Sequence, residues 1–529
     1  MERVLFPSTS LTTVCRGLIH KSWKSAAFHT STVNRWQDFE NERHYEPGED
    51  VMKRVWHGLT YDIRRWKRRY NEARYDAFRR RYIIAHMKKS VIDNELFPFR
   101  TEVLIIGGGL TGSSVAYWIK QCYRDEDFKV TVIENNDKFA QSSTMLSCGG
   151  ISQQYSTPEH VEMSLFTTEF LRHTGEHLRI LDNDPPDVSF FPMGYMHLAQ
   201  TEEDVEKMRE SWKLQIEKGA RVALLNKDEL KQRFPSLNID TFMYYRLENE
   251  GCIDSWQLLS AIREKNLTLG VQYVKGEVEG FMFRRDGSDV HGYEAEDVAD
   301  EVAMSSRKLI GAYVRPQMTD ASPRPIRFHF VVNAAGPWAR SIAEMADIGI
   351  GKGVLSIPIP VASRKRTAYV IHAPDAPSLG MPAFVDPSGV FCLQEEAGNI
   401  FICGKTPKTL EEDRKIDHSN LNVDYDYFYN EVWPVLVKRV PTFKNIHIKN
   451  AWARYEDVNL YDNAPVIGDH LLYKNYLIAC GFGERGIQHS LAAARGISEK
   501  VYEGAFLSIN LGKFDMRRFV SGRKIDEIY

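Results

Sequence analysis

Cysteine is scarce in this chain and never arranged to bridge or to bind. Its seven cysteines (Cys15, Cys122, Cys148, Cys252, Cys392, Cys403 and Cys480) lie scattered through 529 residues, none spaced as C-x-x-C. That pattern speaks against a disulfide framework, a zinc site or an iron–sulfur cluster, and no metal site is expected. Long hydrophobic runs are missing as well. A membrane-spanning helix needs about 20 uninterrupted apolar residues, whereas the most apolar stretch, residues 103 to 119, is broken by four glycines and two serines. It reads as a core element. Charge of one sign is not in excess either: the net charge is -3, which excludes nucleic acid as a partner on electrostatic grounds. What is present, 43% hydrophobic and 12% aromatic residues, suffices for a large core divided between two domains.

Acid is absent from one segment in particular. Residues 3 to 37 carry Arg3, Arg16, Lys21, Lys24 and Arg35 without a single Asp or Glu, among frequent serines and threonines. A basic, hydroxyl-rich leader lacking a compact apolar block resembles a mitochondrial transit peptide over residues 1–36, cleaved between Phe28 and Trp36. The alternative is a disordered basic tail. Residues 37–99 form a second basic piece. Within 53–89, Trp56, Leu59, Ile63, Trp66, Tyr70, Ala73 and Ala77 recur at steps of three and four, on one helical face. Arg64, Arg65, Lys67, Arg68, Arg69, Arg74, Arg79, Arg80 and Arg81 surround them. Such a helix suits an anionic membrane surface or an acidic partner, or it packs its aromatics on the body of the protein.

The most informative motif follows. Val103-Leu-Ile-Ile106 runs into Gly107, Gly109 and Gly112 at G-x-G-x-x-G spacing, then a helix over Ser113 to Gln121, then a strand, Lys129 to Ile133, closed by Glu134. The first glycine permits the tight turn, the second a close approach to a pyrophosphate, and the third close packing of helix on sheet. The helix N-terminus offers unpaired N–H groups and a dipole worth up to about 2 kcal/mol to a phosphate. Glu134 can accept hydrogen bonds from ribose hydroxyls. Strand, glycines, helix, strand and acid in this order point to dinucleotide binding. Two further glycine-rich strand ends, Asn333-Ala-Ala-Gly-Pro-Trp338 and Gly481-Phe-Gly-Glu-Arg-Gly486, together with the small-residue loop Gln141 to Gly150, favour FAD over NAD. A second glycine turn before a helix can stabilise charge on a reduced isoalloxazine, which a nicotinamide does not require. An NAD-linked enzyme using the first turn alone stays as the alternative.

Taken together, Gly107 to Gly112, Glu134, the Ser142 to Gly150 loop, Val331 to Trp338, Pro465 to Gly468 and the Gly481 to Gly486 turn resemble the D-amino-acid-oxidase superfamily. The likeness runs over residues 101 to 512 and lies with the branch of sarcosine and dimethylglycine dehydrogenases. It implies an α/β fold, a Rossmann-like FAD-binding domain interleaved with a mixed-sheet substrate domain. The FAD domain would take 100–188, 247–350 and 446–512, the substrate domain 189–246 and 351–445, with 513–529 a C-terminal tail. Residues 284 to 327, polar, charged and proline-dotted, are expected to form a peripheral hairpin or loop. By motif match Gly107, Gly109, Gly112, Glu134, Ser142, Ser143, Gly149, Gly150, Ala335, Gly336, Gly481, Gly483, Arg485 and Gly486 would surround the FAD. Family enzymes oxidise a C–N bond beside a carboxylate, so Arg366, Arg454, Gln153 and Tyr155 are the substrate-pocket candidates; no catalytic residue is assigned.

Members of this superfamily that hold FAD covalently use a His in the glycine loop or a Cys before the last turn. Residues 141 to 150 have no His and 452 to 468 no Cys, so noncovalent FAD is expected. The turn usually reading Gly-Phe-Ser-Gly-His-Gly places Glu484 and Arg485 here, and an anionic Glu484 would disfavour reduced flavin unless Arg485 compensates. Gly149-Gly-Ile-Ser-Gln-Gln-Tyr155, Arg364-Lys-Arg-Thr-Ala-Tyr369, Val432-Trp-Pro434, Arg439-Val-Pro441 and Ala451-Trp452 resemble a mitochondrial branch of the family regarded as serving assembly of respiratory complex I. The favoured expectation is therefore a flavoprotein of the mitochondrial matrix, peripheral on the inner membrane, that meets complex I subunits or assembly intermediates. Its alternative is an FAD-dependent dehydrogenase or oxidase of an N-methylated or other amino acid.

Overall fold

A computed structural model describes residues 97–125, 127–199, 201–238, 243–246, 249–285, 307–317, 322–395 and 398–527, together with Met52, Trp56, Ile63, Trp66, Lys67 and Tyr70. The chain divides into two units, Met1–Ile92 and Asp93–Tyr529. In the first, the six described residues are all helical. Trp56, Ile63, Trp66 and Tyr70 are 69%, 67%, 70% and 55% exposed, and Trp66 stacks on Tyr70 at 5.8 Å. The expected leader, the named arginines, Leu59, Ala73 and Ala77 lie outside the described residues.

The second unit is built on two eight-stranded sheets. At the centre of the first, five strands run parallel: Gln272–Arg285, Val130–Glu134, Val103–Ile106, Phe330–Asn333 and Tyr476–Cys480. The run Val103–Ile106 is apolar throughout and buried throughout, as a strand covered on both faces must be. Its residues alternate. Val103 and Ile105 join the core under the helices Leu110–Cys122 and Gly486–Glu503, with Val115, Ile119, Leu491 and Ile497. Leu104 and Ile106 face a second core with Val278, Phe281, Val314 and Ile478. Gln272–Arg285 pairs antiparallel with Arg307–Pro316; this hairpin begins well before residue 284, where a peripheral hairpin or loop was expected to start, and 286–306 lie outside the described residues.

The second sheet is mixed and includes Tyr195–Leu198, Val361–His372, Ala383–Val385, Val390–Gln394 and Ile400–Lys405. Its edge is His447–Asn459, paired with Val361–His372 from Val361↔Asn459 to His372↔His447. This moves one expected boundary: residues 447–459, placed with the nucleotide domain by resemblance, hydrogen-bond along their length to the substrate-domain sheet. The last segment is also more than a tail. Phe514 and Ile525 are buried in the first core and Met516 in the second. Arg518 Nε binds Asp462 Oδ2 at 2.8 Å with both side chains nearly inaccessible.

Candidate functional site

Four consecutive parallel strands end side by side at Ile106, Glu134, Asn333 and Cys480, the edge at which open α/β sheets receive nucleotides. A cavity of about 400 Å³ opens there, within the range of cofactor sites. Gly107, Gly109 and Glu134 line it, as do Ser142, Ser143, Ala335 and Gly336, and Gly483 and Gly486 from the last turn. These nine positions were expected from sequence. Three others serve the cavity from behind it. Gly112 faces Gly107, and a Cβ on Gly112 would lie 1.9 Å from the Gly107 carbonyl oxygen. Gly149, at φ +72°, packs on the Ile253 carbonyl. Gly481 gives its N–H to Asp457 Oδ2 at 2.7 Å. None of the three forms the wall itself, because each is consumed in packing or bonding the turn that carries the wall.

The first turn is prepared for an anion. The helix Leu110–Cys122 has Gly109 at its N-cap, no side-chain cap from it and no acid in its first turn, so its N-terminal N–H groups and dipole face the cavity. Thr144, which sequence reasoning did not single out, accepts from the Leu110 N–H at 3.2 Å. Glu134 accepts from Gly108 N–H at 2.7 Å and from Asn136 N–H at 2.8 Å. A carboxylate has about four lone-pair sites, so capacity remains for ribose hydroxyls. Burial pushes its pKa up, opposed by those two backbone donors.

Asp457 lines the same cavity and accepts from Phe482 N–H at 3.1 Å besides Gly481. Burial pushes its carboxyl up to about 7, against the pull of the Phe482 and Gly481 amides. The signal for it was available: Glu456 and Asp457 are adjacent acids on an otherwise half-buried strand, and buried acids there need partners.

A second, smaller cavity of about 90 Å³ adjoins the first. Ser147, Arg454 and Glu484 line both. Of the expected residues, Tyr155, Gly150, Arg454 and Arg485 reach the smaller one; Tyr195, His197 and Lys408, not foreseen, also belong to its polar lining. Arg454 is 7% exposed and pairs through Nη2 with Glu456, while its Nη1 is buried without a hydrogen-bond partner. The neighbouring Cys148 thiol is pushed up by burial and stays protonated, so it offers no counter-charge. Glu484 forms a wall of both cavities: its surface opens to their space while the rest of the side chain is enclosed by protein. Burial would raise its carboxyl, but Lys408 and Arg485 hold it below the usual range. Arg485 also donates from Nη1 to the Asn463 carbonyl at 2.7 Å. His197 is lowered to about 4, by burial and then by Lys408, and is neutral at pH 7.

Two pocket candidates are placed elsewhere. Arg366 lines neither cavity. It stands opposite Arg454 in register and is 6% exposed, with Nη1 on Asp413 Oδ1 at 2.7 Å and Nε 3.6 Å from Glu456 Oε2. Two carboxylates already occupy it, which corrects its assignment to substrate. Gln153 is fully buried; it gives its backbone N–H to Glu250 Oε1 at 2.6 Å and its amide to Thr168 at 3.2 Å, a packed position behind the wall.

With this geometry in place, four likenesses are informative. Residues 102–500 match the family described as FAD dependent oxidoreductase. FAD-dependent oxidoreductase domain-containing protein 1 of Xenopus laevis is 41% identical over 434 residues, 81% of this chain and 84% of that protein. Among solved structures, L-proline dehydrogenase from P. horikoshii superposes with a TM-score of 0.64 at 23% identity, covering 81% of this chain and 100% of that one. Glycine oxidase from Geobacillus kaustophilus gives 0.59 at 18% identity, over 79% and 98%. The last two show a shared fold.

Proposed function

The chain belongs to the FAD-dependent oxidoreductase family, and from that premise we propose that it is a redox-competent flavoprotein acting on a small amine that bears a carboxylate. FAD is its cofactor. The observation that carries the reading is the common wall, in which Ser147, Arg454 and Glu484 belong to both cavities. A ligand in the smaller cavity would meet those side chains where it borders the larger one. Bound FAD supplies the acceptor for the hydride that leaves the carbon next to nitrogen. The chain's own groups would do the positioning. The unpartnered Arg454 Nη1 is a donor for a carboxylate oxygen. Glu484 offers negative charge to the amine, and neutral His197 adds no repulsion. A cavity of about 90 Å³ restricts the ligand to the size of a small amino acid. Retention of FAD without a covalent link follows from the residue types in 141–150 and 452–468.

The test begins with the visible spectrum of the purified chain. A flavin band that passes into the supernatant on acid precipitation is expected. Anaerobic mixing with N-methylated and ordinary amino acids should then bleach it, and Arg454→Ala should raise the required concentration by roughly 10- to 100-fold, the weight of a charged hydrogen bond. A flavin-replete chain that no member of the panel bleaches would sink the amine substrate.

A second role rests on the first unit. Trp56, Ile63, Trp66 and Tyr70 share one helical face and are all exposed, on a segment rich in arginine. An aromatic and cationic face of this kind fits protein partners or an anionic bilayer. We infer that through residues 53–89 the chain meets complex I subunits or assembly intermediates in the mitochondrial matrix, at the inner-membrane surface. Cells supplied only with a chain lacking 53–89 should accumulate less complex I while that chain keeps its flavin. Undiminished complex I would remove the helix from the proposal.

A further inference from the structure

The C-terminal segment reaches the wall of the smaller cavity through one side chain. Glu527 is almost wholly buried, its side chain 1% exposed. Its Oε1 accepts from the Ser156 N–H at 2.7 Å and from the Ser156 hydroxyl at 2.6 Å. Its Oε2 accepts from the Thr157 N–H at 3.1 Å and from His160 Nδ1 at 2.7 Å. Thr157 is the N-cap of the helix Pro158–Arg172 and gives its own backbone N–H to Glu527, so a carboxylate from the far end of the chain sits at the N-terminus of that helix, where the dipole favours negative charge. Burial would raise the carboxyl, but His160 and Arg485 hold it down at about 2, and it stays ionised.

The residue immediately before this anchor is Tyr155, which lines the cavity. Its hydroxyl donates to Gln488 Oε1, and its carbonyl accepts from Gln215 Nε2 at 2.9 Å. Its ring meets His160 at 5.7 Å and His489 at 5.0 Å. His160 is itself stacked between His489, at 4.9 Å, and Phe514 of the C-terminal segment, at 5.0 Å. Glu527 therefore reaches Tyr155 by two routes, through the backbone of Ser156 and through the ring of His160.

We propose that Glu527 is a positioning residue for the smaller cavity, fixing Tyr155 so that the C-terminal segment sets the shape of the wall a ligand meets. This rests on the functional reading of that cavity only for its consequence, and not for the contact itself. The arrangement orders residues far apart in sequence, and that order is lost when the carboxylate is removed. Four hydrogen bonds converge on one group, so no other side chain can replace it in place.

The experiment uses the full chain carrying fluorotyrosine at position 155, and separately at Tyr313, which is 43% exposed on the strand Arg307–Pro316. Glu527→Ala should shift or broaden the Tyr155 fluorine resonance and leave that of Tyr313 unchanged. Amide exchange at Ser156 and Thr157 should quicken at least about tenfold. Glu527→Gln keeps the size and one acceptor oxygen but sets its NH2 against two of the donors, so it should restore only part of the Tyr155 signal; complete restoration would show that bulk alone matters and overturn the carboxylate's role. Should Glu527→Ala fail to fold, Ser156→Ala removes one of the bonds and should give a smaller change of the same kind. An unaltered Tyr155 resonance with unaltered exchange overturns the proposal. A shifted Tyr155 with an unperturbed flavin spectrum sustains the positioning and counts only against the cavity as a substrate site.

Discussion

Replacing Gly112 by alanine should yield a chain that purifies without flavin. The new Cβ would stand 1.9 Å from the Gly107 carbonyl oxygen and 3.1 Å from Ile105 Cγ2. The oxygen cannot move aside cheaply. Gly107 is held by its N–H on the Ile133 carbonyl at 2.9 Å, and its own Cβ position is closed by the Ala334 oxygen at 2.3 Å. Relief must come from lifting the helix Leu110–Cys122 off the sheet. That costs about 1–3 kcal/mol of overpacking and withdraws the N-terminal dipole from the phosphates. Together these amount to roughly a 10- to 1000-fold loss of FAD affinity, read by the flavin-to-protein absorbance ratio and by titration of the apoprotein. Gly280→Ala is the control, since nothing lies within 4 Å of a Cβ there. Full flavin content in Gly112→Ala would show that the helix tolerates displacement and that the glycine is not what seats the cofactor.

Arg366→Ala should cost stability first, with flavin contact unaffected in the molecules that remain folded. Arg366, Asp413 and Glu456 are 6%, 4% and 3% exposed, and the guanidinium is shared between the two acids. Removing it takes one cation from each acid, though Arg364 stays on Asp413 at 3.1 Å and Arg454 on Glu456, so the loss should fall short of about 3–5 kcal/mol, that of a fully stranded buried charge. Cross-strand pairing tempers the loss. Arg366 and Arg454 are register partners, and like charges so placed repel unless an acid lies between them, as Glu456 does here. Denaturant unfolding of Arg366→Ala and the wild-type chain, both flavin-loaded, gives the difference. A variant of unchanged stability that no longer responds to a carboxylate ligand would return Arg366 to the substrate site.

These two residues mark where the sequence is legible and where it is not. The nucleotide-binding glycines were readable because each acts on its immediate neighbours: Gly107 turns a strand, Gly112 packs on the same turn, and Gly336 and Gly483 sit at adjoining strand ends. The α/β fold with an interleaved mixed sheet was legible for the same reason, strand and turn signals being local. Arg364-Lys-Arg366 reads on its own as a basic run. Its meaning depends on Asp413, 47 residues away, and on the pairing of two long strands, and neither is encoded near the arginine. Gln153 followed a glycine loop that does reach a cavity, yet Glu250 draws it to the other side. The final segment looked like a tail because Phe514, Met516 and Ile525 show no helical or strand period. Their burial comes from two separate cores, and Glu527 finds His160 across 367 residues.

The order of the strands carries one more consequence, for how the polypeptide is made. The larger cavity takes its walls from Gly107 near one end of the body and from Gly483 to Ser490 near the other. The strand Tyr476–Cys480 completes the parallel core only by pairing with Phe330–Asn333, and Glu527 bonds to residues made some 370 positions earlier. During synthesis the first glycine turn emerges long before its opposite wall exists, so a nascent chain has half a nucleotide site. Flavin capture is therefore a late event, one that waits until the chain has been made at least as far as Ser490.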